Sequence, residues 1–340
     1  MGSRSGFVCT MMLLVLLGVW ASQATSRSLA MDEASTSMSE RHEQWMSRYG
    51  RIYDDAYEKE RRFKIFKDNV EFIESFNGTY KLSINEFTDQ TNEEFMASRT
   101  GYRMISSSSQ QSSSASFRYE NVNDVPSSKD WTQEGAVTPI KHQGQCGCCW
   151  AFSAVAAMEG ITKISTSNLI PLSEQELLDC NTENQLGCGG GFMDIAFQFI
   201  QQNGGLTSEA NYPYQGMQSS CNPNTNHVAQ ITGYEEVPAN SEEALLKAVA
   251  NQPVSVAIDA NGTPFHSYSS GVFTGDCGTN LNHAVTVVGY GTTDDGTKYW
   301  LVKNSWGTTW GEGGFMRIQR GVEAAEGLCG IAMKASYPTA

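Results

Sequence analysis

Apolar residues recur at helical spacing in the stretch that follows residue 148. Between residues 151 and 158 they return every three or four positions, which predicts a helix that opens at this point. Ser173 and Glu176 form the pattern of a capping box ahead of two leucines, and the apolar run 193–202 stops at an Asn-Gly-Gly sequence. These signals predict that this part of the chain is helical.

The pattern changes after one further predicted helix at residues 241–251. Apolar, β-branched runs separated by Gly and Asp turns follow, and they predict a twisted sheet or barrel. A helical part and a sheet part indicate an α+β protein with a cleft between two subdomains, where sites are commonly found. The predicted strands span residues 254–258, 284–290, 298–302 and 315–318.

The N-terminal region carries one long apolar run, residues 11–20, preceded by Arg4 and followed by the small residues Ser22 and Ala24. About 20 apolar residues are needed to cross a bilayer, so this run is too short for a transmembrane helix. It predicts a signal peptide over residues 1–24, with a buried N-terminal helix as the alternative. After cleavage we expect no membrane attachment and an oxidising compartment.

The next segment, residues 25–124, differs from the rest because it contains no cysteine. A charged helical pattern covers residues 39–76, and residues 106–116 consist only of Ser, Gln and one Ala. Such a polar tract cannot bury enough apolar surface to offset its ordering entropy, which predicts a flexible, protease-accessible linker. The linker separates two units of the chain.

The charge balance is acidic, with 23 Lys and Arg against 37 Asp and Glu among 340 residues and a formal net charge of -14. Affinity for nucleic acid comes from cations that release phosphate counterions, so nucleic acid is not an expected partner. Most of the acidic surplus lies after residue 124. Protonation of these carboxylates at acidic pH would relieve self-repulsion.

The densest chemical feature is the sequence Gln-Gly-Gln-Cys-Gly-Cys-Cys-Trp at residues 143–150, directly before a predicted helix. A cysteine at a helix N-terminus faces unpaired N–H groups and the positive end of the helix dipole, which favour the nucleophilic thiolate. Cys149 is best placed for this role. Cys146, Cys148 and Cys149 could alternatively bind a metal, but zinc ligands usually have wider spacing and a matching pair downstream.

A thiolate nucleophile needs a proton donor for the leaving amine, and histidine suits this role near neutral pH. Of the five histidines, His283 stands at the head of a predicted strand, which would hold its ring in a fixed place. Asn304 and Trp306 follow another predicted strand, where the amide could orient the ring beneath the indole. A purely structural role for His283 is the alternative.

With these residues the chain resembles the papain-type cysteine proteases in their precursor form. The resemblance implies a two-domain α+β fold with a helical left domain, a β-barrel-like right domain and a cleft between them. A helical inhibitory propeptide would precede this fold. The implied segments are a signal peptide at 1–24, the propeptide at 25–124 and the mature peptidase at 125–340. No cofactor and no metal are implied.

The catalytic roles come from the same resemblance. Cys149 is implied as the nucleophile and His283 as the general base and acid. Asn304 would orient the imidazole, and Trp306 would cover their hydrogen bond. Gln143 would donate from its side chain to an oxyanion hole that the Cys149 N–H completes, and loss of one such donor typically costs about 10²–10³ in rate.

Six residues before the linker lie along one helical stripe, spaced by three or four positions. An ordinary amphipathic helix would explain this spacing, but the residues also match the signature of the family's inhibitory propeptide. A second propeptide motif follows, in which Ser83 stands at the position of a glycine. The first set is Glu58, Arg62, Phe66, Asn69, Ile73 and Asn77, and the second is Asn85, Phe87 and Asp89.

The resemblance also implies a substrate-binding surface. Gly190 and Gly191 would pair their backbone with an extended peptide, which requires that no side chain intervenes. An apolar pocket would receive the second residue before the scissile bond, and we expect it to prefer bulky apolar or aromatic side chains. The residues implied for this pocket and its surroundings are Phe192, Met193, Ala257, Leu281, Asn282 and Lys334.

The nine cysteines divide by role. Cys9 lies in the predicted signal peptide, and Cys149 is the implied nucleophile. Cys148 remains as an orphan thiol, either a small buried side chain or a redox partner that traps an oxidised Cys149 as a vicinal disulfide. The family's pattern pairs Cys146 with Cys188, Cys180 with Cys221, and Cys277 with Cys329.

The expected partners are peptide and protein substrates, the chain's own propeptide and cystatin-type inhibitors, and we expect a monomer. The Cys148-Cys149-Trp150 variant resembles plant vacuolar proteases of senescent tissue, which indicates a vacuole or lysosome, with the extracellular space as the alternative. Asn77 and Asn261 each begin an Asn-Gly-Thr acceptor for N-glycosylation.

Two other functions remain as alternatives. A catalytically silent homologue would act as a binding or storage protein, and loss of Cys149, His283 or Asn304 would mark it, yet all three are present. A transglutaminase would also use Cys and His, but the chain offers no obvious Asp as its third member.

Overall fold

The computed structural model describes residues 36–102, 117–183 and 185–340. The predicted signal peptide and the Ser/Gln-rich tract lie outside the described residues. The chain divides into two compact units, residues 1–67 and 68–340. All the residues implied in catalysis belong to the second unit.

The first unit contains α1 (Met38–Tyr49) and the beginning of α2 (Ala56–Ser75). Ser37 caps α1 in a complete capping box. Gly50 ends α1 at a φ of 61°, a left-handed conformation that glycine adopts without strain. The helical pattern of residues 39–76 therefore forms two helices.

The helical stripe seen in the sequence lies largely on α2. The Arg62 Nε donates to the Glu58 Oε1 at 2.6 Å, one turn away, and Phe66 is fully buried. Further along, the Asn69 side-chain amide donates to the carbonyl of Thr88 at 2.8 Å. The stripe thus joins residues on the helix to one another and to the loop that follows.

This stripe ends sooner than the sequence suggested. The helix stops at Ser75, so Asn77 lies in the turn beyond it and is exposed. The N–H of Phe76 bonds to the carbonyl of Ile73, only three residues back, and Gly78 follows. A tightened last turn and a poor helix former together end the helical repeat.

The helices predicted in the second unit are present at nearly the expected bounds. The central helix begins at Cys149, and most of its 18 residues are buried. None of the described helices is both long and apolar enough to cross a bilayer. In chain order the helices of this unit are α3 (Asn92–Arg99), α4 (Cys149–Thr166), α5 (Glu174–Cys180), α6 (Met193–Asn203), α7 (Glu242–Asn251) and α8 (Thr263–His266).

The capping box predicted at Ser173 is only half formed. Its hydroxyl accepts the N–H of Glu176 at 3.0 Å, but its own N–H donates to the carbonyl of Thr207 rather than to Glu176. The Glu176 carboxylate instead accepts the N–H of Thr207 at 2.7 Å and contacts the His227 Nε2 at 3.1 Å. Tertiary contacts have drawn this side chain away from the cap.

The predicted strands belong to one eight-stranded sheet, which is antiparallel except where β6 runs parallel to β9. The order is β3-β10-β4-β7-β8-β9-β6, with β2 beside β7, while β1 and β5 form a separate pair. The strands are β1 (Lys81–Leu82), β2 (Lys129–Asp130), β3 (Gly233–Glu236), β4 (Val254–Ile258), β5 (Tyr268–Ser270), β6 (Val272–Phe273), β7 (His283–Thr292), β8 (Lys298–Lys303), β9 (Phe315–Gln319) and β10 (Ala335–Thr339).

Two large hydrophobic cores lie in the described part of the second unit. One lies among α4, α5 and α6, and the other lies within the sheet under α7. They meet where α4 packs on β7, and the Ser153 hydroxyl on α4 donates to the carbonyl of Val285 on β7 at 2.7 Å. The predicted α+β fold, with a helical and a sheet subdomain, is confirmed.

Three disulfides cross-link the second unit, in the pairs that the resemblance implied. Two lie in the helical subdomain, and the third ties the loop before β7 to the segment before β10. Cys148 and Cys149 are buried free thiols. The bonded pairs are Cys146–Cys188, Cys180–Cys221 and Cys277–Cys329.

Candidate active site

Cys149 and His283 come together where α4 meets β7. Cys149 is the first residue of α4, and its Sγ accepts the N–H of Ala284 at 3.4 Å. Ala284 follows His283, the first residue of β7. Both Cys149 and His283 are fully buried. The helix N-terminus and the strand start are rigid positions, so Cys149 is held beside the first residues of the strand that His283 opens.

The tautomer of His283 follows from its partner. The Asn304 Oδ1 accepts the N–H of Ser305 at 2.8 Å, which orients the amide, and the same oxygen lies 2.9 Å from the His283 Nε2. Because this oxygen can only accept, Nε2 carries the proton and Nδ1 keeps its lone pair. Nδ1 has no hydrogen-bond partner within the described ranges. The ring is therefore set up to take a proton.

Trp306 shields this pair as the sequence suggested. Its indole stacks on the His283 ring with the centroids 4.5 Å apart and the planes inclined by 26°. Trp306 is completely buried, and Asn304 is 4% exposed. A hydrogen bond kept from water is stronger than an exposed one, so the indole helps to hold the imidazole in one orientation.

The Gln143 side chain is fixed by an unexpected partner. Its Oε1 accepts the Ser305 hydroxyl at 2.6 Å, so its Nε2 must point the other way. That nitrogen donates to the carbonyl of Cys146 at 2.9 Å and to the carbonyl of Arg99 at 3.0 Å. The donor proposed for an oxyanion hole is thus engaged by a carbonyl from the N-terminal segment.

Residues 99–102 pass directly over the thiol. The N–H of Gly191 donates to the carbonyl of Gly101 at 2.8 Å, and the N–H of Tyr102 donates to the carbonyl of Asn282 at 2.9 Å. Tyr102 pairs with Gly191 in the parallel sense. A side chain at Gly101 would overlap the carbonyl of Gly147, and a Cβ at Gly190 would lie 2.5 Å from the carbonyl oxygen of Gly101. Only glycine permits so close an approach.

An aromatic cluster anchors the segment before residue 99. The Phe95 ring on α3 lies 4.8 Å from the Trp306 ring, edge to face, and Phe87 packs on Phe95 at 5.2 Å. The Arg99 guanidinium donates to the carbonyl of Gly144 at 2.8 Å and lies 4.6 Å from the centre of the Phe87 ring. These contacts cover the Trp306 side of the site.

The second propeptide motif forms without its usual glycine. Ser83 does not have a positive φ, and its N–H donates to the carbonyl of Ser267 at 2.9 Å, extending the pairing of β1 with β5. The Asn85 side chain donates to the carbonyl of His266 at 2.7 Å, and Asp89 is 5% exposed. The serine is therefore compatible with the local backbone.

The covered site has an uncharged Cys149 and His283. Burial raises the pKa of the Cys149 thiol to about 11, against the lowering effect of N–H groups that include that of Ala284. Burial lowers the pKa of the His283 imidazole to about 4, although its hydrogen bond to Asn304 acts in the opposite direction. Burial thus disfavours the thiolate expected from the helix N-terminus, whereas the N–H groups of Gly101 and Tyr102 in the covering residues favour it.

Tyr102 lies among the residues of the proposed apolar pocket. Its ring lies 5.5 Å from the Phe192 ring, edge to face, and it belongs to the buried cluster that contains Met193, Ala257 and Leu281. Asn282 stands beside the pocket, where its carbonyl holds the Tyr102 backbone. The pocket accommodates an aromatic side chain.

Lys334, expected at the floor of this pocket, is paired with two carboxylates. Its Nζ lies 3.2 Å from the Asp194 Oδ2 and 2.6 Å from the Glu236 Oε1. Both carboxylates also influence Tyr102, whose pKa burial raises strongly. The sequence did not point to Asp194 or Glu236, because each comes from a different element and neither lies in a motif.

Comparison with known families identifies this arrangement. Residues 125–339 match the model of the papain family of cysteine proteases. The chain belongs to the papain family. Residues 42–95 match the cathepsin propeptide inhibitor domain, and residues 99–102, which cover the thiol, follow shortly after this match. The protein is a papain-family cysteine protease in its zymogen form.

Named relatives agree with this assignment. The chain is 56% identical over 321 residues to the senescence-specific cysteine protease SAG39 of Oryza sativa subsp. indica, covering 93% of both chains. It is 56% identical over 313 residues to the senescence-specific cysteine protease SAG12 of Arabidopsis thaliana, covering 89% of this chain and 90% of that protein. The resemblance to senescence-associated proteases is confirmed.

Solved structures of precursors share the fold. A recombinant stem bromelain precursor superposes with a TM-score of 0.80 at 47% identity, covering 89% of this chain and 98% of that one. The proform of the Amb a 11 cysteine protease, a major ragweed pollen allergen, gives 0.83 at 43% identity, covering 89% and 94%. Both similarities extend over propeptide and peptidase together.

Some functional residues of this papain-family zymogen were missed from the sequence. Ser305 orients both Asn304 and Gln143, and its position next to Asn304 was the available signal. Tyr214, which contacts the loop before α4, gave no signal because it lies 71 residues from Gln143. Within the described ranges no group of three or more His, Cys, Asp or Glu side chains is arranged to hold a metal ion.

Proposed function

We propose that the mature enzyme is an endopeptidase in which Cys149 is the nucleophile and His283 the general base and acid. The observation that carries this proposal is the orientation of His283. Its Nε2 is held by Asn304, its Nδ1 is free of hydrogen bonds in the described structure, and the strand it opens adjoins the Cys149 sulfur.

The reaction follows from this geometry once the propeptide has left. His283 takes the Cys149 proton, and the thiolate attacks the peptide carbonyl. The oxyanion that forms is bound by the Gln143 amide and the Cys149 N–H, and the resulting imidazolium protonates the leaving amine. Water, activated by His283, then hydrolyses the thioester. Asn304 stabilises the imidazolium throughout, because its carbonyl oxygen faces the Nε2–H.

Substrates would bind with an extended backbone against Gly190 and Gly191. For the second residue before the scissile bond we propose a preference for bulky apolar or aromatic side chains, because Tyr102 is accommodated in the pocket. The Asp194 and Glu236 carboxylates outnumber the Lys334 ammonium at its floor, so acidic side chains would be disfavoured.

The precursor would be processed in the secretory pathway. We propose a signal peptide at 1–24, a propeptide at 25–124 and a mature enzyme at 125–340 in a vacuole or lysosome, with the extracellular space as the alternative. The monomeric mature enzyme would bind cystatin-type inhibitors. Exposure of Asn77 and Asn261 supports both as glycosylation sites.

The first experiment tests the nucleophile. Cys149→Ala should abolish both self-processing at acidic pH and peptidase activity, and a thiol-directed epoxide should label Cys149 alone in the activated wild-type enzyme. Cys148→Ser is the matched control, because it removes the neighbouring thiol and should remain active and labelled. Full activity of Cys149→Ala, or labelling at Cys148, would overturn the assignment.

The second experiment tests the pocket and the boundaries. A peptide library varied at the second residue before the scissile bond should give cleavage dominated by apolar and aromatic side chains, and a profile dominated by arginine would contradict the proposal. N-terminal sequencing of the activated enzyme should begin at or near Val125, and a start well inside the peptidase unit would refute the proposed boundary.

A further inference from the structure

The thiol left over from the cysteine pairing, Cys148, makes one specific contact. Cys148 is fully buried, and its Sγ lies 3.0 Å from the Tyr214 hydroxyl oxygen. The same hydroxyl donates to the carbonyl of Gln143 at 2.6 Å. One phenol therefore contacts both ends of the loop from Gln143 to Cys148, although 66 residues separate Cys148 from Tyr214.

The direction of these hydrogen bonds follows from the atoms present. A carbonyl can only accept, so the single Tyr214 proton goes to Gln143, and the Cys148 S–H must donate to the Tyr214 oxygen. Both groups keep their protons, because burial raises the pKa of Cys148 and that of Tyr214 well above their usual ranges. The result is a short relay from thiol to phenol to carbonyl.

Tyr214 is itself held in place from two sides. Its N–H donates to the Glu209 carboxylate at 3.0 Å, and its ring meets the Phe152 ring edge to face at 4.9 Å. Phe152 lies on α4, the helix that Cys149 opens. Because the Tyr214 hydroxyl has a fixed position relative to α4, it can hold the loop from Gln143 to Cys148 in place relative to Cys149.

This loop carries both donors of the proposed oxyanion hole, the Gln143 side chain at one end and the Cys149 N–H at the other. Such donors work only when they are preorganised at the position of the developing charge. We propose that Tyr214 and Cys148 are positioning residues that hold the Gln143 side chain and the Cys149 N–H at fixed positions relative to each other. This inference rests on the proposed function of Gln143 and Cys149.

The hydrogen bond from Cys148 to Tyr214 argues against the redox alternative, in which Cys148 forms a disulfide with Cys149. A bond between Cys148 and Cys149 would remove the S–H that donates to Tyr214 and would need a thiolate at a buried position where burial disfavours it. In the zymogen, Cys148 therefore serves as a hydrogen-bond donor.

The test uses the activated enzyme and measures kcat and KM on a peptide substrate together with the rate at which iodoacetamide alkylates Cys149. Tyr214→Phe should lower kcat about tenfold, the usual effect of losing one such hydrogen bond, with KM within about twofold. The alkylation rate should not change, because alkylation forms no oxyanion. Tyr212→Phe is the matched control, because its hydroxyl bonds Asp179 at 2.8 Å and does not touch the loop.

Two variants of Cys148 provide a second test, which also applies if Tyr214→Phe fails to fold. Cys148→Ser retains a donor and should keep kcat within about twofold, whereas Cys148→Ala should lower it several-fold. Equal kcat for the two variants would overturn the inference, as would an unchanged kcat in Tyr214→Phe. A parallel fall of kcat and alkylation rate would also refute it, because the thiol itself would then be affected. Failure of the proposed function is separate, since it would show as activity in Cys149→Ala.

Discussion

Acidification should loosen the propeptide through His266, the last residue of α8. This residue is 1% exposed, and neither of its ring nitrogens has a hydrogen-bond partner in the part of the chain that the structure describes. The Phe95 ring on the propeptide lies 5.1 Å from its ring, and Asn85 bonds its backbone carbonyl. The propeptide thus helps to bury an imidazole that has no partner for a second proton.

Three charged side chains close to Phe95 in the sequence have partners other than His266. Glu86 accepts the Thr309 hydroxyl at 2.9 Å, Glu94 accepts the N–H of Thr91 at 3.1 Å, and Arg99 donates to Gly144. Burial is the only cause of the lowered His266 pKa. Within the described ranges no charged side chain shifts the His266 pKa, so none stabilises a protonated ring.

The size of this weakening of propeptide docking follows from the His266 pKa in the docked and in the released form. Burial lowers the His266 pKa from 6.5 to about 4, and we take its value after propeptide release as the ordinary 6.5. Docking is therefore unaffected above pH 6.5 and weakens as the pH falls from 6.5 through about 4, because the released form binds the proton more readily. A pKa difference of about 2.5 at 1.36 kcal/mol per unit sets a limit of roughly 3 kcal/mol, or about 300-fold in the docking equilibrium, which is reached only well below pH 4.

The assay is hydrogen exchange of residues 79–102 between pH 7 and pH 4, corrected for the intrinsic pH dependence of exchange. It uses the Cys149→Ala proenzyme, which should not process itself. With His266 present, the opening equilibrium should rise by about 100-fold between pH 7 and pH 4, because half of the docked imidazole is already protonated at pH 4, whereas His266→Phe should remove this part of the rise. His227→Gln is the control, because His227 contacts Glu176 and lies away from the propeptide. The same pH dependence in His266→Phe and in the parent would refute the reasoning.

Three further outcomes are expected. Asn304→Ala should lower kcat roughly 10- to 100-fold in peptide assays, because it removes a hydrogen bond to the charged imidazole of His283, and an unchanged kcat would contradict the assigned orientation. Tyr102→Ala should destabilise propeptide docking by about 3 kcal/mol, so self-processing should begin nearer neutral pH, and an unchanged pH midpoint would argue against its anchoring role. Replacing Cys180 and Cys221 together by serine opens a disulfide that spans 41 residues, which should cost about 4 kcal/mol and lower Tm by on the order of 10 °C in calorimetry; a Tm within a degree or two of the parent would not fit.

Local signals in the sequence were enough for most elements and for the implied catalytic residues. The strand at Val254–Ile258 was predicted at its observed bounds, and α6 and α7 were each predicted within one residue. Cys149 and His283 could be singled out because each begins an element, a position that local periodicity reveals. The two failures had different causes: tertiary partners drew Glu176 away from the predicted cap, and a tightened last turn ended α2 before Asn77.

By itself the sequence determined the order of helices and strands, because these depend on neighbours within about one turn or one strand. Its motifs also identified the family, and the resemblance to that family supplied the proposed catalytic residues. Only the tertiary structure decided that Ser305 orients Gln143, that Tyr214 holds the loop before the nucleophile, and that His266 is buried without a partner. The burial that raises the Cys149 pKa and lowers the His283 pKa was decided there as well. Each depends on groups far apart along the chain that meet on folding, where burial and hydrogen-bond direction set the protonation and the position of a side chain.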